Sequence, residues 1–219
     1  MTTILYYASG SCSLAAHWAL IEAEASFDLV AVNLGSGEQR SPEFLSVNPH
    51  GRVPVLLDDG QIITELPAIL YHIASKAPGA GLLNLDDSRS AARSIELLAW
   101  FASSVHVSFS QIFRPERFAD SDEAKACLKR DGKARVLGHF KEIEVLMASG
   151  GQWLIGDRFS VLDPYAFVFL NWASRLEIDA TDFPAWHAHA RRMMCRPSAA
   201  KLLAAEGWTP SIPNLHAAA

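Results

Sequence analysis

The stretch ILYYASGSCSLAAHWAL, residues 4–20, falls into two halves with different periods. Residues 4–8 are a short apolar run rich in strand formers, the pattern of a buried strand. Residues 13–24 repeat apolar positions at helical spacing. Between them lies Ser-Gly-Ser-Cys, where Ser11 or Ser13 supplies the side-chain oxygen that a helix N-terminus requires. Cys12 therefore stands at a strand-to-helix turn. Working outward, FDLVAVNL (27–34) reads as a second strand and GSGEQRSP (35–42) as a loop. VPVLLDDGQIIT (53–64) reads as two short strands around an Asp-Gly turn, and TELPAILYHIASKA (64–77) as a helix.

The order βαβ and then ββα, with short turns, predicts a small α/β domain of thioredoxin type over residues 1–78. Residues 79–88, part of the Pro/Gly/Asp stretch APGAGLLNLDDS, read as a linker. Beyond it the pattern is all-helical, giving a second domain over 89–219. Leu97, Leu98, Phe101, Val105, Phe109 and Ile112 mark one uninterrupted amphipathic helix over 97–113. A second helix runs through 122–148 to Gly150-Gly151. A third, within 159–176, opens on Ser160-x-x-Asp163, a capping box, with Pro164 placed where a slightly distorted first turn is expected. Two more helices flank Arg196-Pro197.

Half of the 219 residues are apolar, enough for a substantial core, and the net charge is −5. That balance disfavours nucleic acid and anionic membrane surfaces as partners. The charge is uneven. Residues 1–78 hold three Lys/Arg against eight Asp/Glu, while residues 79–219 hold sixteen of each. An anionic ligand on the α/β domain must therefore be held by local amide dipoles. No apolar run reaches the roughly 20 residues of a membrane span, and the first basic residue is Arg40, unlike a secretory signal. A cytoplasmic protein is expected. The three cysteines, at 12, 127 and 195, show no dithiol or zinc spacing, so neither a disulfide framework nor a metal site is expected.

Two readings of Cys12 follow from its position. Unpaired amides and the positive end of the helix dipole favour a reactive thiolate. A small buried thiol packed on the first strand fits the same residues.

The segments ILYYASGSCSLAAHWAL, NPHGRVPVLLDDGQIITE, SSVHVSF and FSVLDPYAF, in this order and spacing, resemble the glutathione transferases, closest to the bacterial beta class. The resemblance covers nearly the whole chain. It implies a thioredoxin-like glutathione-binding domain followed by an all-helical domain that holds the acceptor substrate. It also implies a cytoplasmic, detoxifying homodimer. By the same resemblance Cys12, with Ser11 beside it, lies next to the sulfur of glutathione and can form a mixed disulfide with it. Val53 offers its backbone to the cysteinyl portion as an added strand would, with Pro54 as a cis proline. Glu65 and the amide of Leu66 hold the γ-glutamyl end at a helix N-terminus. His106 projects into the cleft near Cys12, although a polar residue on a helix flank is the plainer reading. Phe109 and Phe113 line an apolar acceptor pocket.

The sequence departs from the family at three places. Leu66 stands where a serine or glycine is usual; losing the serine hydroxyl removes a charge-assisted hydrogen bond of ~1.5–3 kcal/mol. Val107 stands where the beta pattern often has lysine. The shortened 35–42 loop leaves Arg40, Gln39 and Arg52 as candidates for the glycyl carboxylate. The expected activity is attack of the glutathione thiolate on an apolar electrophile, with thiol–disulfide exchange through Cys12 as a possible addition. A glutathione-transferase-like interaction protein with little catalysis, or a specialised dehalogenase or isomerase, are the competing readings.

Overall fold

A computed structural model describes residues 2–85 and 87–215. Asp86, within the expected linker, and residues 216–219, within the expected helical domain, lie outside the described residues. The α/β part runs β1 (Thr3–Tyr7), α1 (Ser13–Glu22), β2 (Asp28–Ala31), α2 (Pro42–Val47), β3 (Val55–Asp58), β4 (Gln61–Thr64) and α3 (Leu66–Lys76). The sheet order is β2-β1-β3-β4, with β1 and β2 parallel and the other pairs antiparallel. The hairpin turn places Asp59 and Gly60 at positive φ, as the Asp-Gly signal requires. This is the thioredoxin-like arrangement.

The helical part comprises α4 (Ser88–Trp100), α5 (His106–Phe113), α6 (Asp122–Ser149), α7 (Leu162–Trp172), α8 (Pro184–Met194) and α9 (Pro197–Glu206). Among the described residues it contains no strand. No helix there is long and apolar enough to cross a membrane.

Several expectations need correction. The second strand occupies Asp28–Ala31, not 27–34. The expected 35–42 loop leads into α2, which went unread; it is capped by Ser41, whose hydroxyl accepts the Phe44 amide at 3.2 Å. The expected 97–113 helix begins at Ser88, inside the predicted linker stretch, with Asp87 as its cap. It is also interrupted, because Phe101–Val105 form a π-helical turn between α4 and α5. That turn advances the register so that Phe101, Val105 and Phe109 face the core while Ala102 and His106 face a cleft. Pro164, third in α7, costs no helical hydrogen bond, since the first four amides of a helix have no intrahelical partner.

At α7 the carboxylate half of the capping box forms, while the Ser160 hydroxyl accepts from Leu162 N at 3.3 Å instead of from the Asp163 amide. The buried Asp163 carboxylate accepts from Ser160 N (2.7 Å), Ser160 Oγ (3.0 Å), Leu154 N (2.8 Å) and His189 Nε2 (2.7 Å). The α1 helix is buried from Ser13 to Leu20, and it packs on β1 and α3 on one side and on α7 and α9 on the other. One apolar core therefore runs through both parts of the chain. Polar ties follow the same seam: Trp18 donates to Ser198 Oγ at 2.8 Å, and Arg196 grips Glu22 through two bonds of 2.6 Å.

Candidate functional site

A cleft of about 470 Å³ opens where the β1–α1 turn, the segment before β3 and the start of α3 face α5 and the segments after α5 and α7. The β1–α1 turn is held from the helical side. Ser9 Oγ donates to the Glu206 carbonyl at 3.1 Å, Gly10 N donates to the Glu206 carboxylate at 3.2 Å, and Trp172 Nε1 donates to Gly10 O at 3.0 Å. His17 lies 2.9 Å from the other Glu206 oxygen, deep below the turn. Gly10 has φ +67°, and a Cβ there would meet the Trp208 ring nitrogen at 2.7 Å, so glycine is required on two counts.

Cys12 stands on this turn at the N-terminus of α1. Ser11 Oγ accepts the Ser13 amide at 3.2 Å and acts as the cap. The thiol is only 8% exposed and its nearest polar partner is the Val53 carbonyl at 3.7 Å. Burial pushes its pKa up to about 12, against smaller lowering effects from the local amides and the Arg117 cation. The dipole argument from sequence is thus overruled: desolvation wins, and Cys12 is a thiol at neutral pH. The sulfur nevertheless lines the cleft.

Opposite Cys12, the Val53–Pro54 peptide is cis. Val53 lies outside the β3 ladder, so its amide and carbonyl form a backbone edge without a strand partner, the carbonyl meeting the Cys12 thiol. Glu65, immediately before α3, has φ +67° and ψ 119°, a conformation of order 1–3 kcal/mol above the ordinary wells for a non-glycine residue. It brings its carboxylate and the Leu66 amide to the cleft wall, Pro67 having no N–H to offer. Leu66 lines the cleft too, but its side chain is buried in the core. Arg52 and Gln39 line the cleft, and Gln39 Oε1 is a buried acceptor without a partner. Arg40 instead lies along the Gly51 turn.

On the helical side, His106 Nδ1 lies 3.0 Å from Tyr165 Oη. Burial raises the Tyr165 pKa well above its ordinary value, so the hydroxyl keeps its proton. Burial, aided by Arg117 and Arg52, pushes His106 down to about 4, so the imidazole is neutral. With the Tyr165 hydroxyl as donor to Nδ1, its single proton sits on Nε2. Phe109 is fully buried, stacked on Phe169, and contributes to the cleft floor from the core. Phe113 is partly exposed and carries the Arg175 guanidinium 4.0 Å above its ring. Arg114, Arg117 and Arg175, which the sequence did not single out, complete this wall. Cys127 and Cys195 are unpaired and lie elsewhere.

A thioredoxin-like sheet, a cis proline presenting open backbone and a helical domain closing the cleft define the class of proteins that hold a small thiol-bearing peptide. Family models bear this out. Residues 1–75 match the glutathione S-transferase N-terminal domain and residues 116–192 the glutathione S-transferase C-terminal domain. The chain is 34% identical to glutathione S-transferase GstA of Escherichia coli O157:H7 over 93% of this chain and 98% of that one. A glutathione transferase homologue from Sulfitobacter with bound glutathione superposes with a TM-score of 0.88 at 30% identity, covering 95% and 99% of the two chains. The beta-class glutathione S-transferase of Sphingomonas chungbukensis gives 0.82 at 36% identity, covering 94% and 100%. The chain belongs to the glutathione S-transferase family. It is a transferase, with glutathione as co-substrate.

Proposed function

We propose that residues 1–78 bind glutathione in extended form along Val53 and that the helical domain beyond residue 88 presents an electrophile to its sulfur. The observation that carries this reading is the juxtaposition of the open Val53 edge, the α3 N-terminus and the Cys12 thiol around one cleft. In this reading the Val53 amide and carbonyl pair with the cysteinyl residue. The Leu66 amide takes the γ-glutamyl carboxylate, Glu65 takes its ammonium, and Arg52 with Gln39 receives the glycyl end. The unpartnered Gln39 oxygen suits an incoming N–H.

Three groups favour the thiolate of glutathione: the Cys12 S–H and His106 Nε2–H as donors, and the Arg117 cation, which makes good the positive charge absent at Val107. The thiol proton leaves to water. The thiolate then attacks an electrophilic carbon, the C–S bond forms, and on an aryl halide the halide departs with the electron pair of its bond. Because Cys12 is neutral, conjugation outweighs thiol–disulfide exchange as the main activity. Unpaired cysteines suit a reducing cytoplasm. Exposed Ile62 on β4, Tyr71 on α3 and Ile95 on α4 suit a homodimer.

Retention on immobilised glutathione together with turnover of chlorodinitrobenzene is the expected result. Retention without turnover would replace the enzyme by a glutathione-binding module, a reading that the buried Leu66 favours; neither retention nor turnover would refute both.

A further inference from the structure

The charge of the cleft opposes that of the chain. Of the charged side chains lining it, four are arginines (52, 114, 117 and 175) and one is a carboxylate, Glu65, in a protein of net charge −5. Three of the four come from the helical wall: Arg114 ends α5, Arg117 closes the next turn, and Arg175 sits in the turn after α7. Elsewhere Arg196 is held by Glu22 and Arg93 by Glu96, whereas the described residues offer Arg114, Arg117 and Arg175 no carboxylate within 4 Å. They act on each other instead. Arg117 is destabilised as a cation by partial desolvation and by Arg52, Arg114 and Arg40, against a smaller opposing effect of Glu116, and Arg175 by partial desolvation and by Arg114.

Glutathione does not balance this charge. It brings two carboxylates and an ammonium, and the reading above matches these to Arg52 with Gln39, to the Leu66 amide and to Glu65. Arg117 lies within electrostatic reach of Cys12 and His106, at the sulfur end. Arg114 and Arg175 remain, both on the cleft wall and within electrostatic reach of one another, with Arg175 over an aromatic floor. Phe113 lies under Arg175, and its ring centre is 6.0 Å from Trp172 and 5.7 Å from Phe109.

We propose that Arg114 and Arg175 form a carboxylate site for the second substrate, which is a flat aromatic or conjugated electrophile bearing a carboxylate. The apolar body lies against Phe113 and Trp172 with its reactive carbon toward the glutathione sulfur, and the carboxylate reaches the guanidinium pair. Arginine suits this task because its planar fork matches a carboxylate bidentately while its face stacks on an aromatic ring. The inference rests on the glutathione reading and adds to it the charge and shape of the acceptor.

The test is calorimetry with glutathione and two of its conjugates, one made from the chlorodinitrobenzoate with chlorine para to the carboxylate, the other from the matching neutral benzamide. The carboxylate conjugate is expected to bind about tenfold to a hundredfold more tightly than the amide. That gap should narrow as salt is raised and close in the Arg114→Met/Arg175→Met double variant, whose replaced side chains are both exposed. Equal affinity of the two conjugates, with glutathione still bound, overturns the carboxylate site and leaves the glutathione reading intact. A gap that survives in the double variant overturns it as well. Failure of glutathione and both conjugates to bind removes both inferences together.

Discussion

A single-cysteine variant, Cys127→Ser/Cys195→Ser, isolates the chemistry of Cys12, because neither replaced residue lines the cleft. The thiol is buried with a pKa raised to about 12 from an ordinary 9.0. At pH 7 the thiolate fraction is then ~10⁻⁵, against ~10⁻² for a free thiol, so alkylation by iodoacetamide should be about a thousandfold slower than for a small model thiol. Burial slows it further. The measurement is the alkylation rate, followed by intact mass, across a range of pH. The rate should climb about tenfold per pH unit and reach no plateau below about pH 10. A plateau near pH 7 or 8 would refute the reasoning, because it would place the dipole of α1 above desolvation. Stability provides an independent sign check. With the folded pKa above the unfolded one, stability is intact below about pH 9 and falls as pH rises toward 12, by about 1.4 kcal/mol per unit, and Cys12→Ala removes that slope.

Three further outcomes are expected. Leu66→Ser should tighten glutathione binding about tenfold by calorimetry, while lowering unfolding stability by about 2–4 kcal/mol in urea, since the leucine it replaces is core. The His106 ring resonance should titrate near pH 4 by NMR, with stability retained above pH 6.5 and lost as pH falls toward 4; a midpoint between 6 and 7 would contradict its burial. Asp163→Ala strands four buried donors at ~1–3 kcal/mol each, so a loss of at least about 4 kcal/mol is expected, readable as a denaturation midpoint shifted far downward.

Local chemistry explains what the sequence disclosed. The strand–turn–helix of residues 4–20, the Asp-Gly hairpin and the Ser160/Asp163 box are each specified by neighbours within a few residues, and each was legible. The α2 helix carried a signal as well, a Ser41-Pro42 start, but six residues leave too short a period to detect. The π turn before His106 has no local mark, because it answers to what Phe101, Val105 and Phe109 must fill in the core. The sequence leaves the state of Cys12 open for a related reason. Its helix dipole is a local property, whereas its desolvation comes from a cleft assembled by both parts of the chain. Arg114, Arg117 and Arg175 share no motif, being spread over about sixty positions, and only the packing of α5 against α7 gathers them.

The clamp on the β1–α1 turn also orders the site in time. Gly10 leaves the ribosome early, yet its partner Glu206 follows 196 positions later, roughly 10–40 seconds behind at ordinary rates of synthesis. Until then the turn that bears Cys12 lacks both of its bonds to Glu206, however complete the sheet beside it. A nascent chain halted short of Glu206 would lack the carboxylate that holds the Gly10 amide, and with it part of what fixes the place where a sulfur can react.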